Sequence, residues 1–145
     1  MLIQKATIDE LEVVTELFDL YRVFYEQVSD LNAAKEFLKE RMVNEESVIF
    51  VALEENAALG FVQLYPSYSS VSMKRSWVLN DLYVKEQARG KGVGENLINM
   101  ALHFAKESGA KGVLLETGKE NINAQRLYEK IGFVKETNYF YYYKV

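Results

Sequence analysis

The sequence feature that most constrains the fold is a glycine-rich segment, Arg89 to Gly94, in which every second residue is glycine. The apolar run Trp77 to Val84 precedes it and predicts a strand, whereas Val93 to Lys106 follows with apolar residues at helical spacing. A strand that turns through glycines into a helix lets backbone N–H groups converge on an anion at the positive end of the helix dipole. We therefore expect a phosphate site here, to which Arg89 and Lys91 would add positive charge.

The spacing of these glycines excludes two other phosphate-binding loops. A Walker A loop needs a glycine followed by lysine and then by serine or threonine, and neither Lys91 nor Lys119 is followed by such a residue. A dinucleotide-binding Gly-x-Gly-x-x-Gly loop would need glycine where the chain has Glu95 or Leu97. The segment is therefore not explained by a P-loop or by a Rossmann-type nucleotide-binding domain.

The apolar pattern over the whole chain predicts a sheet flanked by helices, with a polar loop at Pro66 to Ser70. The predicted strands are Leu2 to Ala6, Val48 to Leu53, Leu59 to Leu64, Trp77 to Val84, Val113 to Glu116, Phe133 to Glu136 and Tyr139 to Lys144. The predicted helices begin near Thr7, Asp30, Val93 and Asn121. The fold class is α/β or α+β, with a central mixed, mostly antiparallel sheet and helices on both faces. A chain of 145 residues predicts one domain, residues 1–145.

The composition excludes several kinds of chemistry. The chain has no cysteine and a single histidine, His103, so thiolate nucleophiles and the usual transition-metal sites are excluded, and we expect no metal. No apolar run approaches the ~18 residues that span a bilayer, and the first residues lack a signal-peptide profile, so we expect a cytoplasmic protein without a membrane partner. The net charge of -4 argues against nucleic-acid binding, which needs a basic face.

Charge is unevenly distributed along the chain. Residues 1–60 hold 13 acidic and 5 basic side chains, whereas residues 61–145 hold 8 acidic and 12 basic ones. The second part would suit an anionic cofactor and the first part a cationic substrate. The same charges would also be expected if they were only the solvated faces of helices, and composition leaves that alternative open.

The glycine segment and a later helix together resemble a known pair of motifs. Arg89-x-x-Gly92-x-Gly94, after Asp81-Leu82-Tyr83-Val84, is similar to the pyrophosphate-binding motif of the GNAT superfamily of N-acetyltransferases. About thirty residues later, Asn121-x-x-Ala124-x-x-Leu127-Tyr128-Glu129-Lys130-x-Gly132-Phe133 resembles the second coenzyme-binding helix of that superfamily and the strand beyond it. The resemblance covers Trp77 to Phe133 well and the whole chain loosely. It implies a GNAT-like fold and the use of acetyl-coenzyme A as co-substrate.

The resemblance also implies which residues bind the co-substrate. The strand end would contact the pantetheine arm, the glycine segment would hold the pyrophosphate, and the later helix would bind the arm from the opposite side. The implied binding residues are Leu82, Tyr83, Val84, Arg89, Gly90, Lys91, Gly92, Val93, Gly94, Asn121 and Asn123. Without the second motif, the glycines would fit a plain strand-to-helix turn, and Asn121 is equally suited to cap a helix.

Tyr128 is the implied catalytic acid. In the family this tyrosine stands near the sulfur of the co-substrate, where a phenol can hydrogen-bond and protonate the departing thiolate. On its helical spacing alone Tyr128 would equally be a core aromatic.

The general base is less directly indicated. An amine that attacks a thioester must first lose a proton from its ammonium form. Some relatives use a glutamate on the strand before the glycine segment, and the stretch Ser76 to Asp81 contains none. Asp81 is the candidate base, with Glu26 as an alternative. Strict alternation would place Asn80 and Asp81 on opposite faces of the sheet, so that at most one points at the thioester. The expected acceptor-site residues are Tyr25, Glu26, Tyr68 and Asn80.

The implied reaction is transfer of an acetyl group to a primary amine by direct attack in a ternary complex. The acidic first part of the chain favours a small cationic amine. The pieces Phe24-Tyr25-Glu26, Asn80 to Val84 and Ala124 to Tyr128 look most like a microbial branch that acetylates histones and small polyamines. The alternatives are transfer to an amine of a protein or peptide, and a coenzyme A-binding module without turnover.

The end of the chain suggests a homodimer. Tyr139 to Tyr143 consists of five consecutive aromatic residues, which would expose apolar surface on both faces of a terminal strand unless something covers it. A second copy would provide that cover. Helices of the same chain are the alternative.

Overall fold

The protein, described here by a computed structural model that covers residues 1–145, is built on one five-stranded sheet. The strands are β1 (Leu2–Lys5), β2 (Val48–Glu54), β3 (Ala57–Ser69), β4 (Lys74–Val84) and β5 (Val113–Leu114), and they lie side by side in chain order. The first four strands pair antiparallel, whereas β5 pairs parallel with β4. The helices are α1 (Leu11–Phe24), α2 (Leu31–Val43), α3 (Val93–Glu107) and α4 (Ile122–Ile131).

Side-chain caps that are readable in the sequence start the 3-10 turn before α1 and the helix α2. Thr7 Oγ1 accepts a hydrogen bond from Asp9 N at 3.2 Å, and Glu10 Oε1 accepts from Thr7 N at 2.8 Å. This capping box starts a short 3-10 turn, Ile8–Glu10, that leads into α1. Asp30 caps α2 through a 3.0 Å bond from Ala33 N to its Oδ1.

Helices cover both faces of the sheet, as the sequence predicts. On one face, α3 packs Leu97 and Ile98 against a core that includes Phe50 and Leu64. On the other face, α1 and α2 pack a second core, whose fully buried members include Val14, Leu17, Leu38, Val51 and Phe61. None of the four helices is both long enough and apolar enough to cross a bilayer.

A β-bulge interrupts the pairing of β3 with β4. Gln63 pairs with Asp81 and Leu64 with Leu79, so Asn80 is an extra residue on β4. The extra residue resets the alternation of the strand, and Leu79 and Leu82 therefore contact the same core. The prediction that Asn80 and Asp81 point to opposite faces is wrong for this reason. Asn80 Nδ2 instead donates a 2.7 Å hydrogen bond to Oδ1 of Asp81.

Two other predicted segments differ in the structure. The loop expected at Pro66 to Ser70 is mostly strand, because β3 and β4 form a long hairpin in which Pro66 pairs with Trp77. Strand β2 begins at Val48, opposite Leu64, so beyond Leu64 one side of β3 is unpaired and a proline without an N–H is tolerated.

The final predicted strands, Phe133 to Glu136 and Tyr139 to Lys144, are not formed. Residues 134–145 take part in no hydrogen bond, and a strand exists only where a neighbouring strand satisfies its backbone. Strand β5 is also shorter than predicted and pairs with β4 at only two positions, Trp77 with Val113 and Val78 with Leu114. Beyond this short pairing the two strands separate.

Candidate active site

A cleft of about 600 Å³ opens where β4 and β5 separate. Its walls are the end of β4, the turn from Ala88 to Gly94, the stretch Leu115 to Thr117, the first half of α4 and the end of α1. The cleft therefore joins the two motifs that resemble the coenzyme-binding pair, although they are far apart in the sequence.

The glycine turn lies at the start of α3, where the sequence predicts an anion site. Gly90 and Gly92 have φ values of 77° and 79°, a backbone conformation that glycine adopts without strain. Gly92 is the N-cap of α3, so the first N–H groups of that helix have no intrahelical acceptor. A Cβ on Gly94 would lie 3.7 Å from Val84 Cγ2, an ordinary contact. Packing within the protein therefore does not require glycine at position 94, and the missing side chain leaves the backbone there open to close approach by a ligand.

Arg89 connects the glycine turn to both walls of the cleft. Its Nε donates a 2.9 Å hydrogen bond to the carbonyl oxygen of Val84. Its guanidinium lies 5.8 Å from the ring centre of Phe24 and 5.6 Å from that of Tyr83. Lys91, in contrast, is exposed and does not line the cleft. The positive charge inside the cleft therefore comes from Arg89.

The start of α4 faces the glycine turn across the cleft. Asn121 Oδ1 accepts a 3.3 Å hydrogen bond from Ala124 N and so caps the helix, and Asn121 and Asn123 also line the cleft. Gln125 Nε2 donates to the carbonyl oxygens of Gly118 and Lys119, each at 3.0 Å, which holds the loop before α4. The cap and a binding role for Asn121 are therefore compatible.

Tyr128 lies on α4 and lines the cleft. Its ring packs edge-on against Phe133 at a centroid distance of 5.9 Å, and its hydroxyl makes no hydrogen bond within the protein. Burial, with Tyr25 nearby, raises the pKa of Tyr128 above its usual range. The residue is thus a neutral phenol with a free hydroxyl, which can donate a proton to a group in the cleft.

Asp81 lies behind the cleft wall and not in it. It is 2% exposed and accepts hydrogen bonds from Gln63 Nε2 and Asn80 Nδ2, while Ser47 Oγ donates to Gln63 Oε1 at 2.8 Å. Burial raises the pKa of Asp81, and the hydrogen bonds partly oppose that rise. No lysine or arginine forms an ion pair with Asp81.

Tyr21 connects Asp81 to the cleft. Its ring lines the cleft, and its hydroxyl donates a 3.3 Å hydrogen bond to the carbonyl oxygen of Asn80. Burial raises the pKa of Tyr21, and the nearby carboxylate of Asp81 raises it further. The ring of Tyr25 packs edge-on against that of Tyr21 at 5.0 Å. Three aromatic side chains from the end of α1, Tyr21, Phe24 and Tyr25, therefore line the cleft, on the side where the acceptor is expected.

The other expected acceptor residues divide into two pairs. Tyr25 and Asn80 line the cleft, whereas Glu26 and Tyr68 do not. Glu26 is exposed, with a φ of 64°, just after α1. Tyr68 is 72% exposed on the β3–β4 hairpin, where its hydroxyl accepts a 2.9 Å hydrogen bond from Arg75.

The cleft also contains residues that the sequence did not single out as site residues. Tyr21 is one of them, and the one signal for it in the sequence is its four-residue spacing from Tyr25. Glu116 lies in the cleft wall after β5, is exposed and forms no ion pair. No sequence pattern distinguished Glu116 from other surface carboxylates.

Known proteins share both the sequence and the fold. Residues 14–133 match the model of the Acetyltransferase (GNAT) family. The uncharacterized N-acetyltransferase YhfO of Bacillus subtilis (strain 168) is 45% identical over 142 residues, which are 98% of this chain and 95% of the relative. The crystal structure of a probable acetyltransferase is 41% identical with a TM-score of 0.94, and the match covers 100% of this chain and 97% of that one.

A more distant structure contains a bound coenzyme. An aminoglycoside N-acetyltransferase in complex with CoA is 19% identical with a TM-score of 0.84, covering 98% of this chain and 93% of the other. At this identity the similarity concerns the fold alone.

Proposed function

The chain belongs to the acetyltransferase (GNAT) family, and on that basis we propose that it transfers the acetyl group of acetyl-coenzyme A to the primary amine of a small cationic acceptor. Members of this family use acetyl-coenzyme A, and the cleft between β4 and β5 suits that co-substrate. Its positive-φ glycines, the free N–H groups of α3 and the lack of a side chain at Gly94 together favour a bound pyrophosphate.

The observation that carries the choice of acceptor is the unpaired carboxylate of Asp81. A buried carboxylate usually has a cationic partner, yet Asp81 has only amide donors and stands behind a wall of tyrosines. An ammonium group at that wall would be attracted by the carboxylate and by the faces of Tyr21, Phe24 and Tyr25. A cationic amine therefore supplies the charge that the site lacks.

The reaction then proceeds by direct attack. The hydroxyl of Tyr21 turns from the carbonyl of Asn80 to the carboxylate of Asp81, gives its proton to Asp81 and takes one from the ammonium group of the acceptor. The neutral amine nitrogen then forms a bond to the thioester carbonyl carbon. The C–S bond breaks as Tyr128 protonates the departing thiolate. No covalent acyl-enzyme is needed, in keeping with a chain that has no cysteine.

Small polyamines are the proposed class of acceptor, as in the microbial branch that acetylates histones and polyamines. The cleft-lining part of this resemblance, Tyr25 with Asn80 and Tyr128, supports that choice. A protein or peptide amine is the second candidate, because the exposed end of α1 leaves the acceptor side open to a longer substrate.

A substrate panel tests the proposal. Release of coenzyme A should be measured with spermidine, neutral amino acids and a lysine-rich peptide, and each product should be identified by its mass. We expect monoacetylated spermidine to form fastest. Faster turnover of the peptide would favour the second candidate. Binding of acetyl-coenzyme A without any acetylated product would overturn catalysis altogether.

A further inference from the structure

The cleft carries an excess of negative charge for a site that is expected to bind phosphate groups. Its charged lining residues are Arg89, Glu95 and Glu116, which are one cation and two carboxylates. Glu95 is the more unusual carboxylate, because it lies in the first turn of α3, at the helix end where the pyrophosphate is expected. An acidic side chain at that end interacts favourably with the helix dipole but repels a bound anion. The charge of Glu95 therefore opposes binding of the co-substrate unless a cation offsets it.

Lys130 provides such a cation from α4. Its Nζ donates a 3.2 Å hydrogen bond to Oε2 of Glu95, and the two groups form an ion pair between the last turn of α4 and the first turn of α3. This pair is the only polar side-chain contact between the two helices. Lys130 does not line the cleft, so its ammonium group acts on the cleft through Glu95.

We propose that Lys130 is a positioning residue for the proposed co-substrate, acetyl-coenzyme A: it neutralises Glu95 and so lets the start of α3 accept the pyrophosphate. Without Lys130, the bound pyrophosphate would face an uncompensated carboxylate in a cleft whose only lining cation is Arg89.

Two purely structural roles for Lys130 make different predictions. A lysine in the last turn of a helix interacts favourably with the helix dipole, and an ion pair between two helices can hold them together. The side chains of Lys130 and Glu95 are 67% and 33% exposed, and a pair of that kind contributes little to the stability of a fold. In either structural role, removal of the carboxylate of Glu95 would not compensate for the loss of Lys130.

Compensation between two substitutions tests the proposal. In Lys130→Met, the Kd for coenzyme A, measured by calorimetry at low ionic strength, should rise about three- to fivefold, as expected for an exposed charge pair. Glu95→Gln should bind coenzyme A at least as tightly as the wild type. The double variant should do so too, because no carboxylate is left for Lys130 to offset. An unchanged Lys130→Met, a weakened Glu95→Gln, or a double variant as weak as Lys130→Met would overturn the proposal.

An acetyl donor without phosphate separates this charge effect from a general disturbance of the cleft. Lys130→Met should raise KM for acetyl-coenzyme A at unchanged kcat, whereas kcat/KM for S-acetylpantetheine should equal that of the wild type. Lys106→Met removes the same charge from an exposed position at the other end of α3, and should leave the Kd for coenzyme A unchanged. Equal losses with both donors, or the same loss in Lys106→Met, would contradict a local effect on the pyrophosphate. A wild type that does not bind coenzyme A at all would overturn the proposed function itself.

Discussion

Gln63 donates a hydrogen bond from its Nε2 to Oδ2 of Asp81, and both side chains are buried. Ser47 fixes the direction of this bond, because its hydroxyl donates to the amide oxygen of Gln63 and so turns the N–H end toward the carboxylate. An N–H donor stabilises the charged form of a carboxyl group. The bond therefore opposes the effect of burial, which raises the pKa of Asp81.

Replacing Gln63 by leucine should move the acid limb of kcat/KM to higher pH. The proposed base is active only when Asp81 is ionised, and loss of the donor raises its pKa further. Tyr21 and Tyr65 also face Asp81, but burial raises the pKa of Tyr65 to about 12 and also raises that of Tyr21, so both stay neutral at the working pH. Activity against pH is the measurement. An acid limb at the wild-type position would show that Asp81 is not the base.

Two further variants calibrate that result. Ser47→Ala leaves Gln63 in place but removes its anchor, so it should shift the limb in the same direction by a smaller amount. Gln4→Leu removes a glutamine of β1 that makes no side-chain hydrogen bond, and should leave the profile unchanged.

Replacing Tyr128 by phenylalanine should lower kcat by about 10²–10⁴-fold, the range for loss of a general acid. The ring and its packing on Phe133 remain, so KM for acetyl-coenzyme A should change little. Burial raises the pKa of Tyr128, so the wild-type enzyme should not lose activity from its ionisation below pH ~10. Steady-state kinetics provide the check, with Tyr68→Phe outside the cleft as the control. Equal losses in both variants would contradict the assigned role.

Replacing Gly94 by glutamate should weaken coenzyme A binding by at least about tenfold, equivalent to ~1.4 kcal/mol. The new side chain would bring negative charge to the proposed pyrophosphate site at the start of α3. Gly112→Glu carries the same charge at a position with open space, outside the cleft, and should leave the Kd unchanged. Isothermal calorimetry distinguishes the two variants, and equal affinities would place the pyrophosphate elsewhere.

Replacing Asp19 by alanine should reduce the free energy of unfolding by about 1–3 kcal/mol, the cost of unpaired buried donors. Asp19 accepts hydrogen bonds from Ser29 Oγ at 2.6 Å and Asp30 N at 2.8 Å, which connect α1 to the start of α2. Glu16→Ala, at an exposed position of the same helix, should change stability by less than ~0.5 kcal/mol. Urea denaturation measures the free energy of unfolding of both variants. An Asp19 variant as stable as the wild type would mean that this connection contributes nothing to stability.

The parts of the fold and site that follow local rules could be predicted from the sequence. Thr7 and Asp30 are caps whose side chains bond to the next turn, and the glycines at positions 90 and 92 adopt the backbone conformation that glycine favours. The residues that the two motifs predict to bind the co-substrate line the cleft, with the exception of Lys91, which is exposed.

The remaining features depend on pairing between distant segments. The bulge at Asn80 is set by the register of β4 against β3. Because of the bulge, the side chain of Asp81 lies on the same side of the sheet as that of Asn80 and contacts both Asn80 and Gln63. The strands expected after Phe133 need a neighbour that one chain does not bring to them. Tyr21 reaches the cleft only because α1 ends against β4. No local pattern encodes these relationships.

The most direct test of the proposed function is whether the enzyme prefers an acceptor amine that carries additional positive charge. The ratio of kcat/KM for spermidine to that for n-butylamine compares the same reacting group with and without additional positive charge. We predict a ratio well above ten at low ionic strength that falls as salt screens the excess negative charge of residues 1–60. A ratio near one that does not respond to salt would contradict a cationic acceptor.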